Sequence, residues 1–149
     1  SNIGTNSAIT LADDQGRCMT YEYKGDGLKV LQPRAGVLVH TNHYLADLSE
    51  SPIPDSVPRL ERAESLIAEL SERTVESAKQ VLGDRITDKG TICIPWTDQG
   101  EWGDMGTVCS AVMDLKHRKL YISRGHPGSY ATAAEGTNRV DIPYDEHTL

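Results

Sequence analysis

Two kinds of hydrophobic spacing follow one another along this 149-residue chain. Short apolar runs separated by turn clusters occupy residues 7–44, and apolar residues then recur at helical spacing between residues 56 and 83. Short apolar runs return after residue 91. The short runs are typical of strands, and the wider spacing is typical of amphipathic helices. Strands, then helices, then strands predict an α+β fold whose helices gather on one face of the sheet.

Turn residues divide the first third of the chain into short strands. The clusters around Gly16, Gly27 and Gly36 each separate two apolar runs. We therefore expect an antiparallel meander with strands at residues 7–13, 17–24, 28–32 and 37–44.

Helices are expected between residues 56 and 83. Ser56 is a suitable N-cap because its hydroxyl can accept a hydrogen bond from the first helical turn, where Pro58 is tolerated. Gly83 is a suitable residue for the end of a second helix. After the helices we expect a strand at 91–96 and a hairpin formed by residues 107–115 and 119–124.

A chain of 149 residues is long enough for one domain of ordinary size. Ser1 and Asn2 look like the remnant of a cleaved expression tag, so we interpret residues 1–6 as a lead-in to a piece of a longer protein. The domain itself is expected over residues 7–130. Small and polar residues dominate the segment after that, and we expect a loosely ordered tail over residues 131–149.

The charge balance argues against nucleic-acid binding as the main role of the chain. Asp and Glu number 22 against 15 Lys and Arg, which gives a net charge of −7, whereas a phosphate-binding face needs the opposite sign. No apolar run of about 18 residues is present, so we expect no membrane partner. The three cysteines are far apart and form no CxxC pair, which favours reduced thiols in a cytoplasmic protein.

The motifs of the chain indicate no bound metal, no cofactor and no nucleophile. His40 and His43 are three residues apart on an expected strand, where their rings would point to opposite faces. The acidic, Gly-rich stretch at 97–106 lacks the lysine of a phosphate-binding loop. Cys93 and Cys109 are expected to pack in the core, the latter on one strand face with Ala111, Met113 and Leu115.

The segment HTNHY at residues 40–44 is the sharpest candidate for a functional site. An asparagine amide offers two N–H donors and can stabilise the negative oxygen that develops when a carbonyl is attacked. Asn42 is therefore a candidate oxyanion donor. The alternative is that its side chain caps the loop that follows it.

Several segments in their order along the chain resemble the penicillin acyltransferase family, the acyl-coenzyme A:6-aminopenicillanic acid acyltransferases. They are GVLVHTNHYL at 36–45, DSVPRLERAESLI at 55–67, TICIPW at 91–96 and TVCSAVMDLKHRKLYISRGHP at 107–127. This family is related to the choloylglycine and penicillin V hydrolases among the N-terminal nucleophile hydrolases. The resemblance extends from residue 7 to residue 130.

The resemblance implies an αββα sandwich, of which this chain forms a part. In such enzymes the precursor cuts itself before a cysteine, whose thiol attacks an acyl amide or thioester and whose own α-amine acts as the base. That cysteine lies upstream of the region matched here, so the chain is expected to be the C-terminal portion and to be inactive alone. The resemblance gives Asn42 an oxyanion-hole role.

The same resemblance leads us to expect a small acylated substrate. His43 and Tyr44 are then candidates to shape the acyl pocket. Ser110, on the strand face opposite Cys109, is a candidate to point toward the substrate.

A severed portion of a sandwich leaves sheet edges and an apolar face uncovered. We therefore expect the isolated chain to pair with its missing upstream segment or to associate with itself. The alternative hypothesis is a non-catalytic α+β module that keeps the scaffold and binds a small acylated ligand or a protein partner.

Overall fold

The computed structural model describes residues 7–24, 27–46, 54–85, 90–98, 104–130 and 138–149. Strands and helices within these ranges confirm the predicted α+β class, and their arrangement is consistent with a sandwich. In chain order they are β1 (Ser7–Ala12), β2 (Cys18–Lys24), β3 (Gly27–Leu31), α1 (Ser56–Ala68), α2 (Val75–Leu82), β4 (Thr97–Asp98), β5 (Asp104–Met105), β6 (Ala111–Asp114), β7 (Lys119–Ser123) and β8 (Tyr144–Thr148). Among these residues no helix is long and apolar enough to cross a bilayer.

The first sheet is the antiparallel meander β1–β2–β3. Its register places Tyr21 between Ile9 and Val30, so these side chains share one face. That face carries no charged side chain, and its members are Ser7, Ile9, Leu11, Met19, Tyr21, Tyr23, Leu28 and Val30. Leu11 is 54% exposed and Val30 is 46% exposed, so the face lacks a cover in the described part of the chain. The opposite face contains the fully buried Thr20 and the buried Glu22.

The expected strand at 37–44 is wrong, because these residues form a turn followed by an irregular loop. Ala35 and Gly36 have positive φ angles of 49° and 73°, and they close a tight turn in which Arg34 and Val37 pair. Beyond this turn, backbone N–H groups bond to side chains of β2 and α1 instead of to a neighbouring strand. These side-chain partners replace the ladder that a strand would need.

The helices occupy the expected part of the sequence. α2 ends at Gly83 as predicted, and it begins with a capping box in which Thr74 and Ser77 bond to each other's backbone N–H groups. Gly83 is required by close approach, since a Cβ there would lie 2.6 Å from the carbonyl oxygen of Val140. A two-pronged ion pair joins the helices: Arg62 of α1 donates to both carboxylate oxygens of the buried Asp84, at 2.9 and 2.7 Å.

The last sheet, β6–β7–β8, contains the predicted hairpin and one strand that was not predicted. We expected a loosely ordered tail over residues 131–149. Residues 131–137, like the lead-in expected at 1–6, lie outside the described residues, whereas β8 pairs along its length with β7. Val140 and Ile142 lead into β8 and form a core cluster with the fully buried Cys93. The polar sequence of β8, YDEHT, gives no apolar alternation, so its pairing with β7 is what defines it as a strand.

Cys93 packs in the core as expected, but the same prediction for Cys109 is wrong. Cys109 is exposed, and Met113 on the same strand face is 64% exposed. The opposite face packs against α2, where the Lys79 ammonium lies 4.3 Å from the centre of the Tyr121 ring. Helix α2 therefore covers the face of the hairpin opposite the one that the sequence pattern had placed in the core.

The expected strand at 91–96 is also wrong, although the segment is held firmly in place. Arg85 reaches across it and donates hydrogen bonds to the carbonyl oxygens of Cys93, Pro127 and Tyr130, at 3.2, 3.1 and 2.6 Å. These bonds add to backbone hydrogen bonds that the Cys93 and Trp96 N–H groups donate to the carbonyls of Asp84 and Gly128, at 2.8 and 2.7 Å.

Candidate functional site

The segment at residues 40–46, here called the 40–46 loop, lies between the buried face of β2 and the start of α1. It includes the HTNHY motif. Because the loop has no regular secondary structure of its own, its shape depends on side chains from outside it. Glu22 of β2 binds one part of the loop, and Ser56 of α1 binds the other.

Glu22 is a buried carboxylate, 2% exposed, that accepts three hydrogen bonds from the loop. The backbone N–H groups of Leu45 and Ala46 donate at 2.7 and 2.9 Å, and Nε2 of His40 lies at 2.8 Å. An ionised carboxylate only accepts, so His40 carries a proton on Nε2. Burial by itself raises the pKa of Glu22, but the hydrogen bonds from Leu45, Ala46 and His40 outweigh burial and hold the pKa below its ordinary value.

Ser56 is fully buried, and its hydroxyl is the second attachment point of the loop. The Asn42 N–H donates to the Ser56 oxygen at 2.8 Å, and Nδ1 of His43 lies 2.8 Å from the same oxygen. The hydroxyl of Thr41 donates to the Ser56 carbonyl at 2.9 Å. The Ser56 proton is therefore directed to the oxygen of Thr41, 3.0 Å away.

The Asn42 side chain is exposed while its backbone N–H is fixed. Within the described residues no hydrogen bond engages its amide. The two N–H groups of this amide are donors that a ligand oxygen could accept from.

Tyr44 lies on the same side of the first sheet as Glu22. Its hydroxyl donates to the Tyr23 carbonyl at 2.6 Å, and the Lys24 ammonium is 5.8 Å from the centre of its ring. Tyr44 also lines a cleft of about 80 Å³ together with Glu22, Lys24, Gly27 and Lys29. The cleft is large enough for a small group at one end of a ligand.

Ser110 lies elsewhere, at the start of β6. It is 6% exposed, its N–H donates to the Ser123 hydroxyl at 3.0 Å, and its hydroxyl is 2.7 Å from that of Tyr144. Burial raises the pKa of Tyr144, and the hydrogen bond with Ser110 offsets part of that rise. The structure thus groups Asn42, His43 and Tyr44 in the 40–46 loop, whereas Ser110 bonds to the last sheet.

The two histidines of the motif each bond to protein groups and not to each other. His40 bonds to Glu22 and His43 bonds to Ser56, and both lie on a loop and not on the expected strand. Among the residues described, no cluster of three or more metal-binding side chains occurs.

Sequence reasoning missed Glu22 entirely and assigned Ser56 a different task. Helix α1 has Asp55 as its N-cap, without a side-chain capping bond, and Ser56 is its first helical residue. One signal pointed to Glu22: it is the acidic residue of β2, and it alternates with the apolar Tyr21 and Tyr23 toward the opposite face.

Comparison with known proteins identifies one matching family. The family model described as acyl-coenzyme A:6-aminopenicillanic acid acyl-transferase matches residues 2–129, which is most of the chain. A comparison with curated proteins gives no match. The matched range includes the 40–46 loop, Glu22 and Ser56.

Replacing Glu22 tests the charge that holds the loop. Because its folded pKa lies below the unfolded value, Glu22 stabilises the fold above about pH 4.5, and this contribution is lost as the pH falls through the folded pKa. We expect Glu22→Gln to lower the free energy of unfolding by about 1.5–3 kcal/mol at neutral pH. Urea unfolding at several pH values should show that the difference in free energy of unfolding between the wild type and Glu22→Gln becomes smaller as the pH is lowered. The control Glu64→Gln, on the exposed face of α1, should change little, and a Glu22→Gln effect independent of pH would contradict the assignment.

Proposed function

The chain belongs to the acyl-coenzyme A:6-aminopenicillanic acid acyltransferase family, and on this premise we propose that it supplies the carbonyl-polarising part of an acyl-transfer site. The family indicates acyltransferase-type activity. The observation that carries the proposal is the Asn42 amide, which is exposed on a loop whose backbone is bonded on both sides. The substrate class is a small N-acyl amide or acyl thioester.

In the proposed reaction a cysteine thiolate attacks the acyl carbonyl, and a C–S bond forms as the carbonyl oxygen becomes negative. The Asn42 N–H groups donate to this oxygen in the tetrahedral intermediate, where the charge is greatest. When the intermediate collapses, the bond to the leaving amine or thiol breaks, and the leaving group takes up the proton that the attacking thiol gave to the base. Water or an acceptor amine then attacks the thioester and releases the acyl group.

The nucleophile in this proposal is the N-terminal cysteine of the mature enzyme, upstream of this chain. The cysteines of the chain are poor alternatives. Cys93 is fully buried with its sulfur 3.6 Å from the Arg85 guanidinium, Cys18 is half-buried in β2, and Cys109 is exposed. In the described ranges, none of the three thiols is hydrogen-bonded to a histidine or a carboxylate that would act as a base.

The uncharged face of β1–β3 gives the upstream segment a place to bind. Two sheets of a sandwich bury their apolar faces against each other at about 10 Å separation. A face that exposes Ile9, Leu11, Leu28 and Val30 without a charge matches another apolar sheet and not a polar surface. The proposed occupant is the sheet that carries the nucleophilic cysteine.

Replacing Asn42 tests the proposed function in the intact enzyme. We expect Asn42→Ala to lower kcat by about 10²- to 10³-fold with little change in KM, because the lost hydrogen bond is strongest in the transition state. Steady-state kinetics on a small acyl amide measures this. Asn138→Ala, which removes an exposed amide outside the loop, is the control and should leave kcat unchanged. Near-normal turnover by Asn42→Ala would remove Asn42 from the oxyanion hole.

Mass spectrometry of this chain tests where the nucleophile lies. After incubation with a reactive acyl thioester or with penicillin V, we expect no acyl adduct to form faster than on N-acetylcysteine, a free thiol. If the exposed Cys109 is acylated slowly, its rate should equal that of N-acetylcysteine, and the adduct should be absent in Cys109→Ser. Rapid, stoichiometric acylation of Cys18, Cys93 or Cys109 would place the nucleophile on this chain and contradict the proposal.

The apolar face predicts how the isolated chain behaves in solution. We expect it to bind an apolar dye and to sediment as more than a monomer, and co-expression with the upstream segment should abolish both. The double variant Leu11→Lys with Val30→Lys should also reduce both, because it charges the face at sites about half exposed. The control, Ser65→Lys with Ser71→Lys, adds the same charge at exposed sites outside the first sheet. A dye-free monomer would refute the proposed surface.

A further inference from the structure

Ser56 stands at the first position of α1, but its hydroxyl does nothing for the helix. The N-cap is Asp55, and the carboxylate of Asp55 pairs with Arg59 at 3.0 Å instead of capping. Every side-chain hydrogen bond of Ser56 goes to the 40–46 loop. A fully buried hydroxyl costs free energy to desolvate, so its presence here is explained by the loop and not by helix formation.

The bonding capacity of this hydroxyl is used completely. A serine hydroxyl has one proton and two acceptor positions. The proton goes to Thr41, one acceptor position takes the Asn42 N–H, and the other takes the Nδ1–H of His43. Thr41 in turn donates to the Ser56 carbonyl and closes a ring of hydrogen bonds. This arrangement makes all four bonds at once, because Thr41 has only one proton to give. If Ser56 donated instead to Nδ1 of His43, which also lies 3.2 Å from the Thr41 oxygen, one of the two bonds between Thr41 and Ser56 would be lost.

We propose that Ser56 is a positioning residue of the acyl-transfer site, which acts by fixing the backbone of Asn42 and the protonation of His43. This inference rests on the proposed function of Asn42. The residue before Asn42 and the residue after it are bonded to the same hydroxyl as Asn42 itself. The backbone from which the Asn42 side chain extends is therefore fixed before a substrate arrives, which limits the positions that its amide can reach.

The same ring of bonds fixes the tautomer of His43. With Nδ1 donating to Ser56, the neutral imidazole keeps its lone pair on Nε2. The hydrogen bonds of Ser56 therefore leave a donor on the Asn42 amide and an acceptor on Nε2 of the adjacent His43. These two groups are complementary to the carbonyl oxygen and the N–H of a secondary amide.

The test is a double-mutant cycle in the intact enzyme, with Ser56→Ala and Asn42→Ala alone and together. We expect Ser56→Ala to lower kcat about tenfold with KM within about twofold, as the loss of one buried hydrogen bond would. In the Asn42→Ala background, Ser56→Ala should lower kcat by less than about twofold, because the Asn42 amide that Ser56 positions is already absent. A structural role would produce the same factor in both backgrounds.

Ser77→Ala is the matched control, since Ser77 is a buried serine in the first turn of α2 whose hydroxyl bonds only within its own capping box. It should cost stability and leave kcat unchanged. A second readout is the nitrogen NMR spectrum of His43, which should show the Nδ1–H form in the wild type and a mixture in Ser56→Ala. Should Ser56→Ala not fold, Thr41→Val loosens the same ring and should show the same dependence on Asn42.

The outcomes separate the two proposals. If Asn42→Ala lowers kcat but Ser56→Ala has equal effects in both backgrounds, the proposed function stands and the positioning role fails. If Asn42→Ala leaves kcat unchanged, the oxyanion role fails, and the positioning role fails with it. An unchanged His43 tautomer in Ser56→Ala would overturn the assignment of its proton to Ser56.

Discussion

Hydrogen-bonding groups that are buried must find partners, and this requirement shapes the 40–46 loop. The loop has no strand or helix to satisfy its backbone, so Glu22 and Ser56 do so from opposite sides. Both residues are almost inaccessible to solvent, at 2% and 0% exposure, and losing either side chain would leave part-buried donors of the loop without their acceptors. The conformation of the loop therefore depends on the positions of both β2 and the start of α1.

Side-chain hydrogen bonds also hold other described segments of the chain. Arg85 satisfies carbonyls of the irregular segment around Cys93, and Arg62 links α1 to Asp84 at the end of α2. In both cases an arginine side chain supplies hydrogen bonds to a segment outside the strands. Side-chain hydrogen bonds thus fix the loops of a chain that has short strands and long connections. In our proposal, one of these loops takes part in the acyl transfer that the family indicates.

Local patterns predicted the parts of the fold that depend on neighbouring residues. The meander over β1–β3, helix α2 with its end at Gly83, and the hairpin of β6 and β7 follow from turn residues, capping and apolar spacing. The pattern failed where distant contacts outweigh it. Residues 37–44 have an apolar sequence but bond to β2 and α1, and the polar β8 is a strand because β7 offers it an edge. Cys109 was assigned to the wrong face because both faces of β6 carry apolar residues and the position of α2 decides which is buried.

The sequence alone determined the α+β class, the family resemblance and the choice of Asn42, His43 and Tyr44 as candidates, because each of these depends on residue type and near spacing. The tertiary structure decided that Ser110 bonds to the last sheet and that Glu22 and Ser56 hold the loop. Glu22 is 23 residues from Leu45, and Ser56 is 14 residues from Asn42. Contacts at such separations depend on how the sheet and helix pack, and no local periodicity encodes them.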